Sequence, residues 1–481
     1  MSKFSENIPP HSSDNPDLLK RFEHDAVYAG HPDFVHRVSD EKQTAQVLEF
    51  CFHKKIPVTF CGSQTSMTGA SVADSGLVVV LTKKSRILEI DKDPKTKKPF
   101  VITEPGVILG DLKRAVLDCG YFYPPDPTSF NEAQVGATVA TNATGSETFR
   151  FGPTRWHVRE LEILTAQGKT KTLTRTKPLK REPVKNHAGY NLWGEEIDEI
   201  IGSEGTLALI TKIKLDLLEN INSGRFLLIL PFQKFSNCLE AVVKIIDSEQ
   251  NPRAIELIGP GAGNYFSICE KCPKELKNSE LFLYVSDDYK DEPDFEKKLS
   301  KWFSFLEKLY GDLNEKENIE KIFLADTAEK REAIRECRHY IPSKVNEEFF
   351  PYVKTGGGKI GTDWWVPKNH LMKMILDTQM QAENLGIPYL VFGHIGNGHP
   401  HWDFLCKTKA DYDQAFSFVK NQCRQAVIYG GGVAGEHGIG KIKKEILKIQ
   451  HGPEILKKMY ALKEKWDPHW ILGQGNILDR F

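Results

Sequence analysis

The densest group of reactive side chains is the stretch Tyr389-Leu-Val-Phe-Gly-His-Ile-Gly-Asn-Gly-His-Pro-His-Trp-Asp-Phe404, which places three histidines and an aspartate within ten residues. Asn397-Gly398 is a strong two-residue hairpin signal. With those two residues as the loop, Gly396 faces His399, Ile395 faces Pro400, and His394 faces His401 across the ladder. Directly opposed side chains have Cβ atoms ~4.5 to 5.5 Å apart, a chelating distance for two imidazoles. Strand alternation adds His399 and Asp403 to the same face. A single histidine is usually structural, but three on one hairpin face favour a divalent metal, because imidazole is the commonest metal donor.

A second chemistry is suggested by loops of small and hydroxylated residues. Cys61-Gly-Ser-Gln-Thr-Ser-Met-Thr-Gly69 follows an apolar strand and offers backbone N–H groups and hydroxyls in a composition that suits a pyrophosphate. Pro124-Pro-Asp-Pro-Thr-Ser129, Val135-Gly-Ala-Thr-Val-Ala-Thr-Asn-Ala-Thr-Gly145 and Ile201-Gly-Ser-Glu-Gly-Thr-Leu207 let backbone approach a flat ligand. Two matches to G-x-G-x-x-G, at Gly356, Gly358, Gly361 and at Gly430, Gly432, Gly435, lack the strand-then-helix context of a dinucleotide fold. Gly435 to Lys441 approaches a phosphate-binding loop, but Ile442 stands where Ser or Thr must hold magnesium.

The elements that must position these groups follow from hydrophobic periodicity. Residues 40–53 read as a helix, followed by strands at 57–61, 76–81, 87–91, 100–105, 160–166 and 207–217, with helices at LGDLKRAVLDCG and EIDEIIG. From residue 225 the order becomes strand, helix, strand, then strand, helix, strand, an antiparallel sheet covered by helices. A long helix (HLMKMILDTQMQAENLG), the histidine hairpin, a further helix and the Gly-rich GGGVAGEHGIGK complete an α+β chain. The basic stretch Lys169–Lys185, with seven Lys or Arg against Glu182, reads as a solvated hairpin rather than a docking patch.

With 481 residues, two or three domains are expected. Lys plus Arg (64) nearly cancel Asp plus Glu (65), which argues against nucleic acid as a partner. The longest apolar runs, such as Leu77 to Leu81, are strand-sized, and the N-terminus has no apolar signal region. The expected location is the cytoplasm, or the periphery of a membrane. The nine cysteines have no framework spacing, the pair Cys269 and Cys272 has no second pair, and no ferredoxin-type Fe–S run is present.

In order along the chain these pieces resemble the FAD-linked oxidases of the vanillyl-alcohol-oxidase superfamily, specifically its D-lactate dehydrogenase and glycolate oxidase flavoprotein-subunit group. The family's G-x-G-T-S-x-x-G is similar to Gly62 to Gly69, with Gln64 in place of a glycine. P-D-P-S-S, I-G-G-N-I-A-T-N-A-G-G, G-Y-x-L and G-S-E-G-T-L resemble Pro125–Ser129, Val135–Gly145, Gly189–Leu192 and Gly202–Leu207. The resemblance implies a PCMH-type FAD-binding domain of two subdomains at residues 35–219, after an arm at 1–34. It further implies a substrate or cap domain at 220–425 and a segment at 426–481 returning to the flavin.

Non-covalent FAD is then expected at Gly62, Ser63, Gln64, Thr65, Ser66, Thr68, Gly69, Pro125, Asp126, Thr128, Gly136, Ala137, Asn142, Gly145, Glu204, Gly205 and Ile210. The family's terminal N-P-G-K resembles Gly473-Gln-Gly-Asn476, so Asn476 takes the place of a lysine near the flavin. G-H-x-G-D-G-N-x-H resembles the histidine hairpin, and E-H-G-I-G resembles Glu436–Gly440. These imply His394, His401 and Glu436 as ligands of a divalent metal, zinc first with manganese or iron as alternatives, and His437 as base. His399 has no family counterpart and is left as an extra ligand, a substrate contact or a solvent-facing group.

R-H-x-V-P-E-x-V-N resembles Arg338–Asn346 and implies that Arg338 binds a substrate carboxylate, with Lys359 as a second candidate; Trp364 and Trp365 are candidates to close the pocket, with at least one expected in the core because strand neighbours point to opposite faces. The implied activity is oxidation of a D-2-hydroxy acid such as lactate, glycolate or 2-hydroxyglutarate to the 2-oxo acid. Electrons would pass to a quinone, an electron-transfer flavoprotein or an Fe–S partner subunit, and a homodimer is allowed. The alternatives are an ether-lipid synthase-like transferase using FAD without net redox, and a non-catalytic flavin-binding subunit.

Overall fold

The computed structural model describes residues 8–25, 27–179, 185–220 and 224–480, so residues 180–184 of the basic stretch and residues 1–7 of the arm lie outside the description. The chain forms two units. The first comprises the described residues up to Thr144, Gly152–Asn220 and the segment from Glu436 onward; the second comprises Gly145–Phe151 and the described part of 221–435.

The first unit holds two main sheets. Leu77–Val80 lies between Phe34–Arg37 and Val58–Cys61 in a parallel three-stranded sheet. All four residues of Leu77–Val80 are buried, as expected of a parallel strand covered on both faces. Helix Glu41–Lys54 begins where the Asp40 side chain accepts the Gln43 N–H, and its apolar stripe (Val47, Leu48, Cys51) packs with Val58, Leu77 and Val79. The second sheet is antiparallel, in the order Ile87–Lys92, Pro99–Thr103, Ala208–Asp216, Val158–Thr165, Thr170–Thr174. The last two strands form a hairpin whose second strand, Thr170–Thr174, belongs to the basic stretch; Lys171 pairs with Glu196 at 2.7 Å, and Arg175, expected in solvent, is largely buried against Asp198 at 2.8 Å.

The second unit is built on a seven-stranded antiparallel sheet. Its order is Phe323–Ala325, Gly224–Pro231, Phe282–Tyr289, Ala254–Ile258, Tyr389–His394, His399–Cys406, Gly358–Gly361. Ile258, Leu390, Phe392 and Leu405 of one face pack with Phe266 of helix Ala262–Ile268 and with Ile334, Ile341 and Val345 of helix Ala328–Phe349. The α+β architecture and helix-covered antiparallel sheet agree with the sequence reading. Trp364 and Trp365 are both buried.

The unit boundaries differ from the sequence expectation in two places. Residues 145–151 join the second unit because Glu147 is buried against Arg253, in a two-pronged pair of 3.1 and 2.8 Å, while Arg150 pairs with Asp288 at 3.0 Å. Residues 426–435 also stay there, because Gly432 exchanges backbone hydrogen bonds with Trp365 and the Gly435 N–H donates to the Asp363 carbonyl at 2.7 Å. Among the described residues no helix is long and apolar enough to cross a membrane.

Asp198 organises the approach to Gly202–Leu207. Its side chain closes the capping box of helix Glu196–Ile200 and pairs with Arg155 and Arg175, while Arg155 also donates to the Ile201 carbonyl. Burial raises its pKa, but the hydrogen bonds and charges of Arg175 and Arg155 outweigh that and hold it below the ordinary aspartate value. A carboxyl with a depressed folded pKa stabilises above its unfolded pKa, and this contribution is lost as pH falls through the folded value. Asp198→Asn leaves two guanidinium groups without their carboxylate and is expected to cost about 3 kcal/mol in urea unfolding at pH 7. The difference from the parent should shrink as pH is lowered below about 4.

Candidate functional site

In the first unit, the loop from Gly62 to Gly69 leaves the end of strand Val58–Cys61 and meets three other chain segments. Ala137 of helix Val135–Ala140 and Gln134 stand 3.5 and 3.0 Å from the point a Gly62 Cβ would occupy, so the loop's first residue lies against the start of that helix. The Asn476 amide donates to the Ala70 carbonyl at 2.8 Å. The Lys441 N–H donates to the Thr68 carbonyl at 2.8 Å.

Gln64, where the family pattern has glycine, has a left-handed backbone (φ 57°). An L side chain in that conformation costs about 1 to 2 kcal/mol. Its Nε2 donates to the His24 carbonyl at 2.9 Å, which offsets part of the cost and ties the N-terminal arm to the loop.

Asn142 and Glu204 are likewise left-handed (φ 51° and 52°), which turns two further loops toward the same region. The Asn142 side chain accepts the Arg155 N–H at 2.9 Å, and its carbonyl is 2.6 Å from the His187 ring. Glu204 donates its N–H to Ala140 and accepts the N–H groups of Ile439 and Gly440. Gly136 packs on Pro105, Gly205 packs on Phe60, and Ile210 lies in its strand opposite Ile163. The carbonyl of Pro125 accepts from Lys113 at 2.9 Å; in the same patch Asp126 is half-buried and Thr128 exposed. Ser63 and Ser66 are half-buried and Thr65 is exposed. Gly145 falls in the second unit, its N–H bonded to Thr148.

Buried oxygens of Ser71, Gln134 and Asn476 around this loop have no hydrogen-bond partner among the described residues. Orphaned polar atoms of this kind call for water or a ligand. Together with the small residues and loop N–H groups, they fit a phosphorylated, polyhydroxylated cofactor.

In the second unit, the histidine hairpin differs from its expected register. The strands pair His394 with His399, Gly393 with Pro400 and Phe392 with His401. Instead of a two-residue Asn-Gly turn, Ile395–Asn397 makes a 3-10 turn and Gly398 follows in the left-handed region (φ 67°), giving a four-residue connection. His401 is therefore a diagonal neighbour of His394, not its direct partner. The three rings still share one face, with centroid separations of 5.8 Å (His394–His399), 5.5 Å (His394–His401) and 4.7 Å (His399–His401). His394 and His401 present ring nitrogens within 4.8 Å of each other.

Each ring is held by a different partner. His394 Nδ1 donates to Glu256 at 2.7 Å, which leaves Nε2 as the ring atom that could hold a metal. His401 Nδ1 lies 3.4 Å from the Thr362 carbonyl. His399 is 0% exposed and its Nε2 meets Asp363 at 3.2 Å, which rules out the solvent-facing reading.

The sequence reading missed Glu256, the one charged side chain within the strand Ala254–Ile258. It bonds His394 on one side and Arg338 of helix Ala328–Phe349 on the other. Burial raises its pKa, but Arg338 and His394 overcome that and bring it to about 2, so it is a carboxylate at neutral pH. A single acidic residue in an otherwise apolar buried strand was the available signal. Arg338 is thus largely buried and ion-paired. Lys359 pairs with Asp403 at 3.2 Å across neighbouring strands. Glu436 follows Gly435, the last residue of the second unit, and lies in the first, 3.9 Å from the buried Lys185; His437 comes next and is half-buried.

Comparison with known proteins gives a consistent picture. The family model described as FAD binding domain matches residues 32–174, and that described as FAD linked oxidases, C-terminal domain, matches 222–477. The chain is 28% identical to a D-lactate dehydrogenase of Anaerostipes hadrus over 99% of its length and 96% of the relative's. It is 26% identical to the glycolate oxidase subunit GlcD of Bacillus subtilis (strain 168), covering 96% of this chain and 92% of the other. Among solved structures, an alkyldihydroxyacetonephosphate synthase matches with a TM-score of 0.69 at 15% identity, over 98% of this chain and 83% of that one. That likeness supports the PCMH-type fold alone.

Gly393 generates a test of the histidine face. Its backbone is left-handed (φ 111°), and a Cβ there would lie 2.6 Å from His401 Cδ2. Gly393→Ala should destabilise the protein by about 1 to 3 kcal/mol in urea unfolding and displace His401, with little change in FAD content.

Proposed function

As the chain belongs to the FAD-linked oxidases, we propose that it oxidises a small D-2-hydroxy acid to the 2-oxo acid with the help of a divalent metal. The activities named for the similar proteins, D-lactate dehydrogenase and glycolate oxidase, supply the substrate class. The observation that carries the metal is the Glu256–His394 pair beside His401. A carboxylate holding Nδ1 of one imidazole aims Nε2 outward and raises its basicity, an arrangement recurrent at zinc and iron sites. Glu436 is the third donor we assign, one peptide bond beyond Gly435, whose own Cβ position abuts the His399 ring at 2.8 Å. Two imidazoles and a carboxylate suit zinc, manganese or iron.

When bound, FAD would supply a two-electron acceptor for the hydride of the substrate's 2-carbon, and a divalent metal held by His394, His401 and Glu436 would supply Lewis acidity toward the hydroxyl and carboxylate oxygens. The chain's own residues divide the remaining work. His437 takes the hydroxyl proton on a ring nitrogen. Arg338 binds the substrate carboxylate, its guanidinium oriented by Glu256, and Lys359 is the second cation on this face. Ser63, Thr65, Ser66 and Gly69 bind the pyrophosphate, with Asp126, Asn142 and Gly205 around the rest of the cofactor. The electrons would leave to a quinone, an electron-transfer flavoprotein or an Fe–S partner subunit. The transferase alternative draws only on a likeness of fold at 15% identity, and the non-catalytic alternative leaves the ordered histidine face without a role.

Lactate, glycolate and 2-hydroxyglutarate should each be tested for anaerobic bleaching of the flavin, followed by turnover with an artificial dye. His394→Ala and His401→Ala should lose metal and keep FAD. His437→Ala should keep both and reduce its flavin ~10² to 10⁴-fold more slowly. His399→Ala should retain metal and lose stability, because its Nε2 serves Asp363. Undiminished flavin reduction by a metal-free His394→Ala protein would overturn the metal-assisted mechanism.

A further inference from the structure

Glu204 makes a contact that the chemistry above does not use. Its buried carboxylate accepts the Ile439 N–H on Oε1 at 2.8 Å and the Gly440 N–H on Oε2 at 2.7 Å. Two successive amides converging on one anion form a nest of the kind that elsewhere binds phosphate. Here the protein's own carboxylate fills it.

The same turn is held from two other directions. The Gly440 carbonyl accepts the Ile477 N–H at 2.9 Å, and the Lys441 N–H donates to Thr68 at 2.8 Å. Gly440 is left-handed (φ 50°), and a Cβ there would lie 2.3 Å from the Thr68 carbonyl oxygen, so this segment has one way to sit. His437 immediately precedes the turn.

We propose that Glu204 is a positioning residue, whose buried carboxylate fixes the turn at residues 438–440 and thereby aims His437, and is not a contact of the cofactor. The inference rests on the reading of His437 as base. A base acts only within hydrogen-bond reach of its proton, and a misplacement of about 1 Å can cost 10²-fold in rate. Among the described residues, Glu204 accepts both the Ile439 and the Gly440 N–H groups. Replacing it by glutamine substitutes an NH2 donor for one of the two acceptors and sets it against a backbone N–H.

The test uses full-length holoenzyme in four forms: parent, Glu204→Gln, His437→Ala and the double variant. Glu204→Gln is expected to keep FAD, to exchange the amides of residues 438–441 faster, and to reduce its flavin with substrate ten- to a hundredfold more slowly at unchanged half-saturation. In the His437→Ala background the Glu204 substitution should have no further effect on flavin reduction, since both act through one group.

Loss of FAD with unchanged exchange at 438–441 would make Glu204 a cofactor contact and overturn the inference, as would fully additive rate effects. If His437→Ala alone reduces flavin as fast as the parent, the base assignment falls. Exchange at 438–441 in Glu204→Gln then decides whether the anchor stands. Should Glu204→Gln fail to fold, Glu204→Asp, which retains the charge on a shorter stem, gives the same readouts.

Discussion

Glu256 is a carboxylate buried in the middle of a seven-stranded sheet, and the polar face of the second unit depends on how its charge is answered. An ion in that setting is tolerated only when paired and hydrogen-bonded. Arg338 and His394 supply the partners from two different elements, the long helix Ala328–Phe349 and the strand Tyr389–His394. The pairing thereby fixes the rotation of the helix against the sheet and the tautomer of the imidazole together. The apolar packing of Ile334, Ile341 and Val345 on the same sheet face then carries the remainder of that alignment.

Most elements were legible in the sequence because their signals are local. The continuous apolar run at Leu77–Val80, the Asp40 cap and the short alternation Glu160–Ile163 each specify an element with little help from elsewhere. The hairpin register was not legible. Asn397-Gly398 favours a two-residue turn, but the chain uses Gly398 alone in the left-handed region after a 3-10 turn, and a shift in loop length re-pairs every residue. The three histidines still share a face because the shift preserves strand alternation. Glu256 stands out locally as one acidic residue in an apolar strand, but its pairing with His394 and the anchoring contacts of Glu204 span 138 and 235 residues, which no local pattern records.

Departures from the family pattern in the first unit have local answers. Gln64 occupies a left-handed position without glycine's freedom, and its side chain binds His24. Asn476, where a lysine is expected, spends its amide on Ala70 and so braces the end of the loop that begins at Gly62. Both substitutions exchange a general property, conformational ease or positive charge, for a specific hydrogen bond. The loop's shape is then set by side chains distant in sequence as well as by its own residues.

The first unit is assembled from three separate stretches of chain, the last beginning at Glu436. That last stretch braces the first unit: Gly473 donates its N–H to Val58 at 2.7 Å, and Leu472 adds a parallel bridge beside that strand. During synthesis the ribosome delivers residues 221–435 before these contacts can form. At about 5 to 20 residues per second, the strand ending at Cys61 waits on the order of twenty seconds or more for its neighbour. The nascent chain must therefore carry the loop that begins at Gly62 with one side unbraced while a whole second core is made.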